Sequence, residues 1–252
     1  MAVGNIYKIT PFAAILVCLM GGCAYQMAPA GNGTPQTPPF PKTASILPLA
    51  TGNQWLYSLT AYDSAGNKIN PSRVELHLSI AGGYGLQNDT ELVTLDWNNH
   101  NQKFPAYVYK YEWEQADSGA LVVYRDLYPL AVRGLYVVGE YKGSLTKLYK
   151  TEQLWLAYPA DSGKTWIFNP DTSGDTAFAV AMEVLSTHAR FFVSDANSMA
   201  AGAFYDCYLY KETNGTSSSY YYYNPDIGCV GYLNYSDGRL RTSYYLKQFN
   251  GN

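Results

Sequence analysis

The sequence predicts an all-β, predominantly antiparallel body, and three observations carry that prediction. A motif occurs twice, as Pro48-x3-Gly52-x2-Trp55 and Pro159-x3-Gly163-x2-Trp166, and each copy runs straight into alternating apolar and polar residues. Strand periodicity is clean at Arg73 to Ile80 and at Tyr107 to Glu114, and Asn214-Gly215 and Asp237-Gly238 sit between alternating runs as hairpin turns do. Nowhere is a helical period sustained with a capping signal. The expectation is therefore two quasi-repeated meander halves, about 48–158 and 159–252, that curve into a barrel-like sheet or pack as a sandwich.

Composition fits a folded body. Charged residues make up 15% of the 252, and aromatic residues also 15%, with 25 Tyr, far from the profile of a disordered chain. A net charge of -3 with no basic run leaves no electrostatic footprint for nucleic acid. In the repeated motif Pro fixes φ, Gly permits a backbone geometry closed to other residues, and Trp brings a large apolar surface to the start of a strand. No ionisable residue recurs at a matching place, so Pro48, Gly52, Trp55, Pro159, Gly163 and Trp166 read as structural corners and not as a ligand site.

Taken in order, the first half offers strands at Trp55 to Tyr62, Arg73 to Ile80, Leu92 to Trp97, Tyr107 to Glu114, Ala120 to Asp126, Gly134 to Tyr141 and Leu145 to Tyr158. Val74, Leu76, Leu78 and Ile80 share one face of the second, and Tyr107, Tyr109, Tyr111 and Trp113 one face of the fourth. The second half offers Trp166 to Phe168, Thr176 to Leu185, His188 to Val193, Ala203 to Glu212, Tyr220 to Tyr223, Cys229 to Tyr235 and Arg239 to Phe249. That is about seven strands in each half.

The N-terminus reads as an address and an anchor. Lys8 precedes an apolar run from Phe12 to Met20, too short to span a bilayer and of the length of a signal-peptide core. Leu19-Met-Gly-Gly-Cys23 then resembles the lipobox of bacterial lipoproteins, with Met20 where the family usually has Leu, Val or Ile. The resemblance implies cleavage before Cys23, so that residues 1–22 leave as a signal peptide. It also implies acylation of Cys23 by a diacylglycerol thioether and an amide-linked chain such as palmitate, and several chains make a stable anchor. Ala24 stands where an Asp would suggest inner-membrane retention, which favours the outer membrane. Residues 23–45 carry Pro29, Pro35, Pro38, Pro39 and Pro41 with almost no large apolar residue, a tether lifting the 46–252 body off the membrane.

Further segments, Pro48 to Tyr57, Ala201 to Tyr208 and Tyr221 to Tyr232, resemble a group of uncharacterised bacterial lipoproteins. Those open on PLxxGNxWxY and close on a segment like YWYAPGVGLV. Met199-Ala-Ala-Gly202 lacks that family's Pro, and Ile227-Gly-Cys-Val230 replaces its Val-Gly-Leu-Val. The resemblance implies an antiparallel β body in the cell envelope and carries no chemistry.

Of the four cysteines, Cys18 leaves with the signal and Cys23 is acylated, which leaves Cys207 and Cys229. An oxidising periplasm permits a bridge between them, whereas an intervening Tyr220 to Tyr223 strand would hold them about 9.5 Å apart against the roughly 7 Å a disulfide tolerates. The question stays open at this level. Gly163-Lys-Thr165 lacks the earlier glycine of a phosphate-binding loop, Asp171 to Asp175 does not follow a calcium-loop pattern, and His77, His100 and His188 lack ligand spacing, so no metal or cofactor is expected. Glu112 and Glu114 share a strand face about 7 Å apart, compatible with a glycan-acting pair, although neighbouring carboxylates usually form a solvated face.

Tyr suits both a β core and a binding platform; core packing explains most of these residues and a binding face the surplus. Tyr107, Tyr109, Tyr111, Trp113, Tyr221 and Tyr223 are therefore candidates for a binding surface. The expected function is a membrane-anchored, non-enzymatic lipoprotein with a binding or envelope-assembly role toward an envelope protein, a glycan or a lipid. The alternatives are a carrier of a hydrophobic ligand in a β cavity and an enzyme using Glu112 and Glu114.

Overall fold

The computed structural model describes residues 45–69, 74–84, 94–97, 100–103, 106–113, 118–125, 134–142, 145–169, 179–225 and 227–251. The signal, Cys23 and the tether as far as residue 44 lie outside the described residues. Fourteen strands and no helix are described: β1 (Gln54–Ala61), β2 (Val74–Tyr84), β3 (Thr94–Trp97), β4 (His100–Lys103), β5 (Ala106–Trp113), β6 (Ser118–Arg125), β7 (Gly134–Lys142), β8 (Leu145–Ala157), β9 (Thr165–Phe168), β10 (Val180–Val193), β11 (Gly202–Asn214), β12 (Ser217–Asn224), β13 (Gly228–Ser236) and β14 (Arg239–Asn250). Twelve of them form one antiparallel sheet in the order β8-β7-β6-β5-β2-β1-β14-β13-β12-β11-β10-β9, while β3 and β4 pair separately.

Each half of the chain thus supplies six strands of the large sheet in chain order, and β1 pairing with β14 joins the halves. The free edges are β8 and β9. Trp166 Nε1 donates to Leu154 O at 3.0 Å and Tyr210 OH to Ala157 O at 2.7 Å, so side chains draw the two edges together. No ladder joins them among the described residues, and the sheet curls without closing into a barrel.

The two motifs form the same turn. Gly52 and Gly163 have φ of 91° and 85°, a region only glycine adopts without strain. Gly52 N donates to Ile80 O and Ile80 N returns to Asn53 O, each at 3.0 Å. In the second copy Gly163 N donates to Val184 O at 2.7 Å and Val184 N to Lys164 O at 2.9 Å.

Leu76, Leu78 and Ile80 are buried and His77 is exposed, as period two requires. The sequence reading differs from the structure in four places. Thr176 to Leu185 and His188 to Val193 were expected as two strands, but Val180 to Val193 is one strand whose register against β11 slips three times between Val184 and Phe191. Those bulges absorb the polar break at Ser186 to His188 that reads as a gap. Strand β4 has no apolar period and leaves no signal. Ser118 and Gly119, expected in a turn, open β6. With β3 and β4 paired to each other, the large sheet takes six strands from each half where about seven were expected.

Candidate functional site

Cross-strand register builds the inner face in rows. One row runs Val184, Tyr210, Tyr221, Tyr232, Tyr244, Leu59 across β10, β11, β12, β13, β14 and β1. Neighbouring rings in it are spaced as strands are: Tyr221 and Tyr232 lie 4.9 Å apart, and Tyr232 and Tyr244 stack at 4.6 Å. Tyr57 meets Tyr244 edge-on at 5.0 Å and donates its hydroxyl to Cys229 O at 2.8 Å. Burial raises the pKa of Tyr57, Tyr109, Tyr221, Tyr223 and Tyr244 well above the usual phenol value.

Tyr109, Tyr221 and Tyr223 are therefore core residues, which corrects the expectation that they form a binding surface. The reason is that all three lie on the inner face, Tyr109 against Trp155, Tyr221 against Tyr232 and Tyr223 against Tyr210, while Phe191 covers Tyr222 on the outer face. Tyr107, Tyr111 and Trp113 are placed in β5 opposite Gly83, Leu78 and Leu76, and their side chains lie outside what is described.

Cys207 and Cys229 are free, buried thiols, so the bridge that was left open is not formed. Register explains why. Tyr208, Tyr223 and Cys229 lie opposite one another on the inner face, whereas Cys207 alternates to the outer face, with β12 between. Desolvation pushes both thiols up to about 12, which leaves them unreactive as nucleophiles.

In the next inner row Met182 is followed by four polar residues, Glu212, Ser219, Asn234 and Thr242. Glu212 is 7% exposed and accepts from Tyr221 OH at 2.9 Å. Asn234 Nδ2 donates to Ser219 Oγ at 3.0 Å, and that hydroxyl pairs with Tyr232 OH at 3.2 Å. No cation among the described residues forms an ion pair with Glu212, so desolvation dominates and raises its carboxyl to about 7 against the lowering effect of Tyr221. No sequence signal marked it, because an alternating strand gives no warning that one polar residue will face inward.

The outer face carries a second layer. The far ends of β10 and β11 bend over β12 and β13 as an arm, made possible by the slipped register and by Asp206 at φ 53°. Phe191, on its underside, packs 4.8 Å from Tyr222. It occupies the space above Gly231, where a Cβ would lie 2.0 Å from Phe191 Cζ. The connecting loop is fastened to β14: Ser198 Oγ donates to Leu246 O at 3.0 Å, Ala200 N to Lys247 O at 3.1 Å, and Tyr245 OH to Asp195 Oδ2 at 2.7 Å.

The upper side of this arm faces solvent. Phe192 is 57% exposed and Met199, in the loop, 78%. Between them and the rest of the sheet, Arg190 lies over the Tyr205 ring at 4.9 Å, and His188 Nδ1 sits 3.0 Å from Asp206 Oδ1. Exposed aromatic, Met and Arg side chains on a framework fastened at both ends are what protein and membrane contacts use. The sequence reading did not mark Phe192 or Arg190, and it named Met199 and His188 for other reasons.

The remaining candidates do not converge. Glu112 is exposed, opposite His77 and Ser118, and Glu114 lies outside the described residues. No group of three metal-ligating side chains occurs among the described residues.

No family model matches the chain, and no curated protein matches it. Among solved structures, a presumed exported protein with a YmcC-like fold from Bacteroides fragilis NCTC 9343 is 15% identical, with a TM-score of 0.42 over 83% of this chain and 100% of that one. A presumed lipoprotein from Parabacteroides distasonis ATCC 8503 is 13% identical, with a TM-score of 0.36 over 82% of this chain and 99% of that one. Likenesses this distant leave the function to be argued from the chain's own residues.

Proposed function

We propose that the chain is a lipid-anchored protein of the bacterial envelope, held to the outer membrane through Cys23, whose β body is a non-enzymatic binding or assembly module. The anchor is supported by the lipobox-like Leu19 to Cys23 and the Pro-rich tether behind it. The observation that carries the binding role is the upper side of the β10–β11 arm, with Phe192, Arg190 over Tyr205, and Met199 presented on a framework fastened to β14. A carrier would need an apolar cavity, whereas the buried apolar side chains described belong to one packed cluster, which favours the arm as the binding element.

Fractionation tests the anchor. Wild type is expected in the outer-membrane fraction with fatty-acid label, and Cys23→Ser in the soluble fraction without it. Label that persists in Cys23→Ser sinks the anchored reading.

A further inference from the structure

The exposed apolar tip of the arm lies over the outer face of the sheet, displaced toward the end at which the chain enters the body. Ser45, Ile46 and Leu47 are buried there, with Leu47 Cδ1 3.0 Å from where a Gly228 Cβ would be, and Gln54 at the start of β1 pairs with Asn250 at the end of β14. The arm loop that carries Met199 bonds to Leu246 and Lys247, level with Tyr57 and so in the half of β1 nearer that entry point. Phe192 precedes Val193, which pairs with Gly202 to close the hairpin. At the opposite end of β1, Ile69 follows the Tyr62–Lys68 bridge. Ile69 N donates to Ala61 O, four residues along β1 from Tyr57 and so about 13 Å from the level at which the arm is fastened.

Residues 24–44 connect that entry point to Cys23. A Pro-rich segment of this length reaches at most about 65 Å, and commonly much less, so the tether keeps this end of the body near the bilayer at an effective concentration in the mM range. Under such tethering, a contact by two apolar side chains is enough to bias orientation. Phe192 and Met199 supply the apolar part, and Arg190 beside them supplies a cation suited to lipid phosphate. We propose that the Phe192–Met199 tip of the arm rests on the lipid surface that holds the acylated Cys23, so that the body sits with this end on the bilayer. The inference rests on the anchored reading and adds an orientation to it.

The test uses acylated full-length protein in phosphatidylethanolamine and phosphatidylglycerol vesicles containing nitroxide-labelled acyl chains. A thiol-reactive fluorophore is placed at Phe192→Cys, Met199→Cys or Ile69→Cys. Cys207 and Cys229 are buried with raised pKa and do not compete for the label. Quenching at 192 and 199 several-fold stronger than at 69 is expected, and Phe192→Ser should lower the signal at 199 toward that at 69.

Equal quenching at all three positions, or stronger quenching at 69, overturns the orientation while fatty-acid labelling still reports on the anchor separately. Should the fatty-acid label be missing, the same fluorophores on a chain held to nickel-chelating lipid in these vesicles by a histidine tag in place of residues 1–23 decide the contact: no preferential quenching at 192 and 199 overturns it. Protection of position 192 in cells without lipid quenching in vesicles also overturns it, in favour of a protein partner.

Discussion

The inner row of tyrosines and the upper side of the β10–β11 arm use the same kinds of side chain to opposite ends. Tyr221, Tyr232 and Tyr244 stack across neighbouring strands, and Tyr221 passes its hydroxyl to Glu212. On the arm, Phe192 and Met199 point to solvent and Tyr205 lies under Arg190. A tyrosine-rich sequence is therefore no measure of a binding platform. What separates the two regions is whether a second layer covers the face, and the arm both covers Tyr222 and presents a new surface of its own.

The sharpest break between the regions is expected from truncation. Tyr232→Ala removes a fully buried ring from the stack and should cost about 3–5 kcal/mol in a denaturant titration. A smaller effect, set by pH, is expected at Glu212. Its carboxyl is held at about 7 when folded against an ordinary value of 4.5, so the folded state keeps a proton that the unfolded chain has released. The resulting stabilisation is complete below pH 4.5 and lost as pH rises through 7, on the order of 3 kcal/mol in all. Glu212→Gln, which stays neutral and still accepts from Tyr221, should flatten this dependence and be the more stable form above pH 7. A wild-type profile as flat as the variant's would mean that Glu212 is not desolvated. The smallest effect belongs to Phe192→Ser, expected within about 0.5 kcal/mol of wild type, because an exposed side chain away from the core carries little stability.

Much of the sheet was legible because its signals are local. Period two placed Leu76, Leu78 and Ile80 inside, Asn214-Gly215 and Asp237-Gly238 mark the β11–β12 and β13–β14 hairpins, and the Pro-x3-Gly-x2-Trp motif forms the same turn at Gly52 and Gly163. The arm was not legible, since nothing in Ser186 to Cys207 states that it will lie over β12 and β13. Two features held a partial signal. Gly231, inside an alternating strand, marks close approach by another part of the chain, and four consecutive tyrosines from Tyr220 require cover on both faces if they are to be core. Glu212 was legible as a strand residue only. Its inward direction follows from alternation with Tyr210 and from regular register against Met182 and Ser219, and the sequence does not state which of the strand's two faces turns to the core.

Hydroxyl-radical footprinting of the folded chain, read residue by residue and normalised to the unfolded chain, tests the division between sealed core and working surface most directly. Phe192 and Met199 should be modified at close to their unfolded rates, while Tyr57, Tyr221, Tyr232 and Tyr244 stay protected until the chain unfolds. Modification of the inner tyrosines in the native state at rates matching Phe192 would contradict the account. It would return the inner face of the sheet to consideration as the binding site.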